Sequence, residues 1–154
     1  MVDVVERAVR PAQAAAAERE ALTGCVITHL CVHDGAAALD FYTRALGAVE
    51  EMRAPSPDGQ RIWHASLTFG NTKLFLADDF SEGDSMRCAA PKALGGSSAL
   101  MFFYVPDADT AFHRAVAAGA EVVSPLEDMF WGDRCGKVRD PFGHEWVFAT
   151  PIKK

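Results

Sequence analysis

Five side chains that can take up or release a proton lie in apolar segments typical of strands: His29, His64, Tyr104, Asp133 and Glu145. Successive strand residues point to opposite faces, so each is expected to point away from the large apolar residues beside it. Together they predict one concavity suited to general acid–base chemistry without a metal. A carboxylate placed there is expected to have a raised pKa. The alternatives are polar groups already satisfied in a wet cavity, or a displaced metal held by His29 and Glu145.

Substrate binding is predicted for residues of the same concavity and of the segment just before its last strands. Ser66 and Phe102 follow the alternation of their strands. Trp131 can form a stacking wall for a ligand or pack against its neighbours. Arg134 can bind an anionic group through two parallel hydrogen bonds, or pair with a nearby acid such as Asp128. The complete predicted binding set is His64, Ser66, Phe102, Tyr104, Trp131, Asp133 and Arg134.

The elements that position these side chains are indicated by an internal repeat. Residues 26–52 and 99–124 each contain an apolar run, an acid, a small-residue amphipathic segment, a glycine and a second apolar run. The acids, Asp34 and Asp107, are typical helix caps, and Gly47 can end the first helix in a left-handed conformation. Such repeats reveal architecture. They predict two strand–helix–strand units that face each other across a ligand site.

The rest of the chain extends each unit to a βαβββ module. A Gly70-Asn71 turn indicates a hairpin in the first module, and a strand, a loop through Pro125 and two more strands complete the second. The modules span about 25–78 and 98–150 within a domain at 23–150, joined by an irregular linker at 79–97. Residues 1–22 read as a helical extension, either a dimer-stabilising arm or a loosely docked segment.

Composition narrows the class of partner. The net charge is −6 and the pI is about 5.3, which argues against nucleic acid because phosphate binding needs a basic surface. There is no apolar run long enough to span a membrane and no apolar signal core, so a cytoplasmic location is expected. The four cysteines lack CxxC spacing and predict buried, reduced thiols. The remaining histidines, His33, His113 and His144, are expected at the surface.

Three motifs together resemble the vicinal oxygen chelate superfamily, the glyoxalase/bleomycin-resistance/dioxygenase group. They are LDFYTRALG at 39–47, AAGA at 117–120 and DPFGHEW at 140–146, and WGDR at 131–134 is most similar to the PhnB-like subgroup. The resemblance covers about residues 25–150. It implies an α+β fold with a cupped mixed β-sheet, a homodimer, and a small-molecule site in the cup. It does not imply one chemistry, since a single fold hosts many functions.

Members of this family typically hold a divalent metal on histidine, glutamine or glutamate side chains of the first and last strand of each module. The corresponding positions here are Ile27, Leu100, Val147 and either Leu76 or Ala77. None of these side chains can bind a metal, which needs imidazole or carboxylate donors. We therefore expect no metal and no cofactor at the usual position.

The same correspondence selects the two leading catalytic candidates. His29 lies two residues from Ile27, and Glu145 lies two residues from Val147, so each shares a strand face with a former ligand position. A substrate in the place of the missing ion would lie against both. Their hypothesised roles are carboxylate base for Glu145 and imidazole acid for His29.

Three functions remain open at this point. The first is an enzyme, of isomerase, lyase or hydrolase type, that uses these groups on a small organic metabolite. The second is sequestration of a drug or metabolite in a cup lined by aromatic residues, as in bleomycin-resistance proteins. The third is a metal enzyme with displaced ligands. The aromatic residues available to the second are Trp63, Phe102, Tyr104, Phe130 and Trp131.

Overall fold

The computed structural model describes residues 17–83 and 88–153. Most of the predicted N-terminal extension, residues 1–16, lies outside this part of the chain. Its described end, residues 17–21, is helical. Among the described residues, no helix is both long and apolar enough to cross a membrane.

The first module contains four strands and one helix in the order β1, α1, β2, β3, β4. Its sheet has the strand order β1-β4-β3-β2, in which β1 and β4 are parallel and the other pairs are antiparallel. The bounds are Thr28–Val32 for β1, Gly35–Leu46 for α1, Val49–Pro55 for β2, Ile62–Phe69 for β3 and Thr72–Asp78 for β4.

The second module repeats this topology after a short linker helix, α2, at Pro91–Leu94. Its sheet has the order β5-β8-β7-β6, again with one parallel pair, β5 and β8. The bounds are Leu100–Tyr104 for β5, Ala108–Ala117 for α3, Glu121–Asp128 for β6, Asp133–Arg139 for β7 and Glu145–Pro151 for β8. The predicted α+β fold of two βαβββ modules is confirmed.

Both module helices begin at the predicted acids. The carboxylates of Asp34 and Asp107 each accept a hydrogen bond from the backbone N–H three residues later, which satisfies a donor that the helix itself cannot pair. Gly47 ends α1 with a φ of 74°, the left-handed region that glycine adopts without strain. These caps fix where each helix starts and stops, and so how each returns the chain to its sheet.

One predicted boundary is wrong. The chain was expected to leave the sheet as a loop through Pro125, yet β6 continues past this residue to Asp128. Proline is tolerated because β6 is an edge strand, with β7 as its single neighbour, and because the register shifts between Ser124 and Glu127. The N–H group that Pro125 lacks would therefore lie where the hydrogen bonds between β6 and β7 are already interrupted, so no strand pairing is lost.

The helix-facing sides of both sheets share one apolar core. The ring of Phe69, from the first sheet, lies 5.6 Å from Phe103 and 5.7 Å from Trp146 of the second. By strand alternation, the opposite face of each sheet points away from this common core. Large buried members of the core are Leu30, Val32, Leu39, Phe41, Tyr42, Leu67, Leu76, Phe112, Val138, Trp146 and Phe148.

Candidate functional site

The outward face of the first sheet brings two predicted histidines together; we call it the histidine face, formed by His29, His64, Ser66 and Phe75. The imidazole rings of His29 and His64 have centroids 6.0 Å apart and lie edge to face. Phe75 packs against both, at 6.4 Å from His29 and 4.8 Å from His64. This arrangement follows from register, since His29 on β1 and Ser66 on β3 both pair with Phe75 on β4.

A carboxylate–ammonium pair borders the histidine face. The hydroxyl of Ser66 donates a long hydrogen bond of 3.4 Å to Glu51, and Glu51 also pairs with Lys73 at 2.6 Å. Ser66 is 7% exposed, whereas His29 is exposed and His64 is half-buried, so Ser66 reaches a ligand less readily than the histidines do. The predicted role of Ser66 in binding stays a prediction.

The outward face of the second sheet carries an aromatic cluster; we call it the aromatic face, formed by Phe102, Tyr104, Trp131 and Asp133. One oxygen of Asp133 accepts hydrogen bonds from the Tyr104 hydroxyl at 2.9 Å and from Trp131 Nε1 at 3.0 Å. Phe102 lies 5.4 Å from Tyr104, centroid to centroid. Asp133 is buried, whereas the three rings are about half exposed. The carboxylate thus orients two rings whose faces remain available.

The Asp133 contact also changes the chemistry of the phenol. The hydrogen bond from the Tyr104 hydroxyl to Asp133 raises the pKa of Tyr104, because it favours the protonated phenol beside a carboxylate. Tyr104 is therefore a hydrogen-bond donor at neutral pH. Its present acceptor is a protein side chain, so its role in this cluster is to hold the ring in position.

Glu145 lies on the same sheet but is engaged by two cations. Its oxygens accept hydrogen bonds from Lys137 Nζ at 2.9 Å and from an Arg139 guanidinium nitrogen at 2.8 Å. The bonds from Lys137 and then Arg139 lower the pKa of Glu145. The expectation of a raised carboxylate pKa is wrong for this residue, because the sheet supplies neighbouring cations instead of an apolar wall.

The ion pairs of Glu145 give a pH dependence that can be measured. A carboxyl whose folded pKa is lowered contributes stability above its unfolded pKa of about 4.3, and this is lost as pH falls through the folded pKa. We expect wild type to exceed Glu145→Gln in melting temperature by about 3 °C at neutral pH. The difference should shrink as the pH falls below about 4.3 and vanish once Glu145 is protonated in the folded protein. Thermal unfolding across this range tests it, and a difference that is constant with pH would contradict it.

The prediction of one concavity containing both catalytic candidates is not met within a single chain. His29 is on the first sheet beside His64, whereas Glu145 is on the second beside Lys137 and Arg139. Glu145 lines an open cavity of about 610 Å³ together with His33 and Lys92, and His29 is not among its lining residues. The separation arises because the two outward faces point away from the shared core.

Arg134 does not belong to the aromatic face. On β7 it alternates with Asp133 and therefore points to the helix side of the sheet. Its guanidinium makes a two-pronged contact with Asp109 of α3, at 2.5 and 2.8 Å, and a further bond of 3.0 Å to Asp128. These bonds raise its pKa further above the usual range. The alternative that the sequence offered, pairing with Asp128, is confirmed, and the predicted substrate-binding role stays a prediction.

Sequence reasoning missed the buried polar residues of the last motif. His144 was expected at the surface but is 6% exposed, with Nε2 bonded to the backbone carbonyl of Cys31 at 3.0 Å. Asp140, 4% exposed, accepts four hydrogen bonds. Both residues lie in a tight turn between two strands with apolar residues, and this position could have indicated that they are buried. The cysteine expectation holds for Cys31 and Cys135, whereas Cys25 and Cys88 are exposed.

The family's metal does not fit its usual position in this chain. Leu100 and Val147 lie on the outward face with apolar side chains, Leu76 is in the core, and Ala77 pairs with Cys31. Among residues 17–83 and 88–153, no three histidine, cysteine, aspartate or glutamate side chains converge as metal ligands do. That the protein works without metal or cofactor stays a prediction.

Comparison with known proteins gives a family match over most of the chain. A family model described as the Glyoxalase/Bleomycin resistance protein/Dioxygenase superfamily matches residues 24–148. An uncharacterized protein of Mycobacterium tuberculosis is 44% identical over 126 residues, which cover 82% of this chain and 74% of the relative. A protein of Arabidopsis thaliana is 32% identical over 117 residues, covering 73% and 69%.

Solved structures share the fold. TioX from Micromonospora sp. ML1 is 31% identical with a TM-score of 0.65, covering 82% of this chain and 98% of TioX. The same Arabidopsis gene product superposes with a TM-score of 0.65 at 28% identity, over 80% of this chain and 96% of its own. A PhnB protein from Bacillus cereus, 17% identical with a TM-score of 0.61, covers 82% and 98% and is similar in fold alone.

Proposed function

Because the chain belongs to the glyoxalase/bleomycin resistance protein/dioxygenase superfamily, we propose that it binds a small planar organic molecule on the aromatic face. The observation that carries this proposal is the double hydrogen bond to buried Asp133, which fixes Tyr104 and Trp131 while leaving their rings half exposed. Rings held in place lose little conformational entropy on binding, and this favours stacking on a flat ligand.

Charge selects among such ligands. The chain carries a net charge of −6, and a carboxylate stands at the centre of the aromatic face. An anionic ligand would be repelled, whereas a cation over an aromatic ring is attracted by the ring quadrupole. The proposed ligand class is therefore neutral or cationic and aromatic, and sequestration is its biological role.

We further propose that a second copy of the chain completes the site as a homodimer. The outward sides of both sheets, which carry the histidine face and the aromatic face, also leave apolar side chains accessible. Val49 on the first sheet is 62% exposed, and Leu100 and Tyr104 on the second are 49% and 57% exposed. Apolar surface of this kind favours association. Pairing the histidine face of one copy with the aromatic face of another would make the cup that the family resemblance implies. Sedimentation velocity at micromolar protein should give a dimer, and a monomer would contradict the arrangement.

Ligand binding is tested by truncating the exposed ring that Asp133 orients. With acridine orange and bleomycin as probes in equilibrium dialysis, we expect Trp131→Ala to weaken the affinity for the bound probe by about tenfold, through lost stacking and cation–π energy. His113→Ala, which removes an exposed ring from α3, is the matched control and should bind as wild type does. Equal affinity of Trp131→Ala and wild type would contradict the proposal.

A second candidate function, acid–base transformation of the ligand, is favoured by the histidine pair. Two imidazoles 6.0 Å apart beside an accessible face are side chains of the type that most often serves as general acid or base. In this version His29 is the acid and ionised Glu145, from the partner copy's second sheet, is the base. Mass analysis of recovered probe separates the candidates: unchanged probe supports sequestration, and a product that disappears in His29→Gln supports catalysis.

A further inference from the structure

Two cysteines that are distant in sequence lie in contact at the edge of the first module. Cys31 is on β1 and is 2% exposed, and Cys88 is an exposed residue in the middle of the linker. Their sulfur atoms are 2.6 Å apart, and both are thiols in this structure. A disulfide bond is about 2.05 Å long, so joining them needs only a small approach of the two side chains.

The surrounding structure holds both residues in place. Asp79 closes the linker on itself, since its carboxylate accepts hydrogen bonds from the backbone N–H of Ala90 at 2.7 Å and of Ser81 at 2.9 Å. The N–H of Asp79 in turn donates to the carbonyl of Val32, next to Cys31. These bonds hold the linker on both sides of Cys88 against the end of β1, and β1 is itself paired in the sheet. The contact between the two sulfur atoms follows from this arrangement.

We propose that Cys31 and Cys88 form a reversible disulfide when a hydroperoxide oxidises the protein. The exposed Cys88 thiol loses its proton, and its sulfur attacks one peroxide oxygen; a sulfur–oxygen bond forms, the oxygen–oxygen bond breaks, and the departing hydroxide or alkoxide takes up that proton and leaves as water or an alcohol. The sulfur of Cys31 then attacks the sulfenic acid on Cys88, forming the S–S bond and expelling hydroxide, which takes the Cys31 proton as water. Two thiols and one peroxide thus give one disulfide, with the peroxide reduced.

The order of these steps follows from exposure and acidity. Burial, with a smaller contribution from the Cys88 hydrogen bond, raises the pKa of Cys31 to about 12. A thiol of this kind is a poor first nucleophile, because the thiolate is the reactive form. Cys88 is the sulfur that solvent reaches, so it meets the oxidant, and Cys31 resolves the intermediate from beside it.

The Cys31–Cys88 disulfide would join the linker covalently to the face of β1 that also carries His29. Cys31 and His29 share a face of β1, being two residues apart. The disulfide closes a long loop between the first strand and the linker, which restricts the unfolded chain. We expect oxidised protein to melt about 5–10 °C above reduced protein.

The experiment treats full-length protein with hydrogen peroxide, counts remaining thiols after unfolding, and maps peptides without reductant. Wild type should lose two of its four thiols and yield a linked Cys31–Cys88 peptide with a mass lower by two hydrogen atoms. Dithiothreitol should restore both thiols. Cys25→Ser, which replaces the other exposed cysteine, should behave in the same way. Cys88→Ser should give no linked peptide and no rise in melting temperature.

Two outcomes would overturn the proposal. One is a disulfide that joins Cys25 to Cys88, or joins two chains, in place of the Cys31–Cys88 peptide. The other is oxidation of Cys88 to sulfinic acid while Cys31 stays a free thiol. Since Cys88 is exposed, Cys88→Ser should fold as wild type does, and its melting temperature before oxidation checks this directly.

Discussion

Asp140→Ala is expected to lower the melting temperature by about 10 °C, the largest stability effect that the described contacts support. The carboxylate is 4% exposed and accepts hydrogen bonds from the hydroxyl of Tyr42 at 2.7 Å and from Trp146 Nε1 at 2.9 Å. It also accepts from the backbone N–H groups of Phe142 and His144, at 2.9 and 3.0 Å. One side chain therefore satisfies four donors.

The size of the effect comes from what alanine leaves behind. Tyr42 belongs to α1 of the first module and Trp146 to β8 of the second, so Asp140 joins the two halves of the core. Each buried donor left without a partner costs about 1–3 kcal/mol. Burial, and then the nearby Asp140 charge, raises the pKa of Tyr42 well above its usual value. Burial persists in Asp140→Ala, so the phenol keeps its proton as a donor without a partner.

Asp40→Ala is the matched control. Asp40 is an exposed helix residue that pairs with Arg44 one turn away at 2.6 Å. Exposed pairs of this kind contribute little to stability, so the control should melt within about 2 °C of wild type. Calorimetry of the three proteins at one pH measures both changes. An Asp140→Ala protein that melts with the control would show that the junction does not hold the modules together.

Local structure was predictable because short-range chemistry decides it. Asp34, Asp107 and Gly47 fix helix ends through contacts within a few residues, and they lie where the sequence placed them. Alternation also sorted side chains correctly on β1, where Leu30 and Val32 are buried in the core and His29 faces outward. These outcomes need no knowledge of how the modules pack.

The relation between the modules was not predictable from these patterns. The alternation of side chains along a strand predicts which face of its sheet a residue occupies. It does not predict whether the outward faces of two sheets are directed toward each other. His29 and His64 share a sheet and were brought together as predicted, whereas Glu145 was separated from them by the packing of the shared core. The two cations that lower the pKa of Glu145 lie on the neighbouring strand β7. Their position beside Glu145 depends on the register between β7 and β8, which cannot be read from the sequence alone.

The aromatic face gives the second large prediction, an effect on ligand binding. Phe102 is 48% exposed, pairs in register with Val147, and lies beside the Tyr104 ring that Asp133 fixes. Phe102→Lys removes an apolar ring from this face and puts an ammonium group in its place. For the cationic probe acridine orange, lost stacking and new charge repulsion should together weaken affinity at least about 100-fold.

Leu94→Lys separates this effect from a general change of charge. Leu94 is 68% exposed on α2, outside the aromatic face, and its substitution adds the same ammonium group to the protein. Equilibrium dialysis of both variants, with sedimentation to record their oligomeric state, gives the comparison. The control should stay within about threefold of wild type, since an exposed charge outside the aromatic face makes no contact with its ligand and is screened by salt. If Phe102→Lys also stays within that range, the ligand does not bind on the aromatic face. A large loss for Phe102→Lys at unchanged oligomeric state places the ligand on the aromatic face, because both variants add the same ammonium group and only Phe102→Lys alters that face.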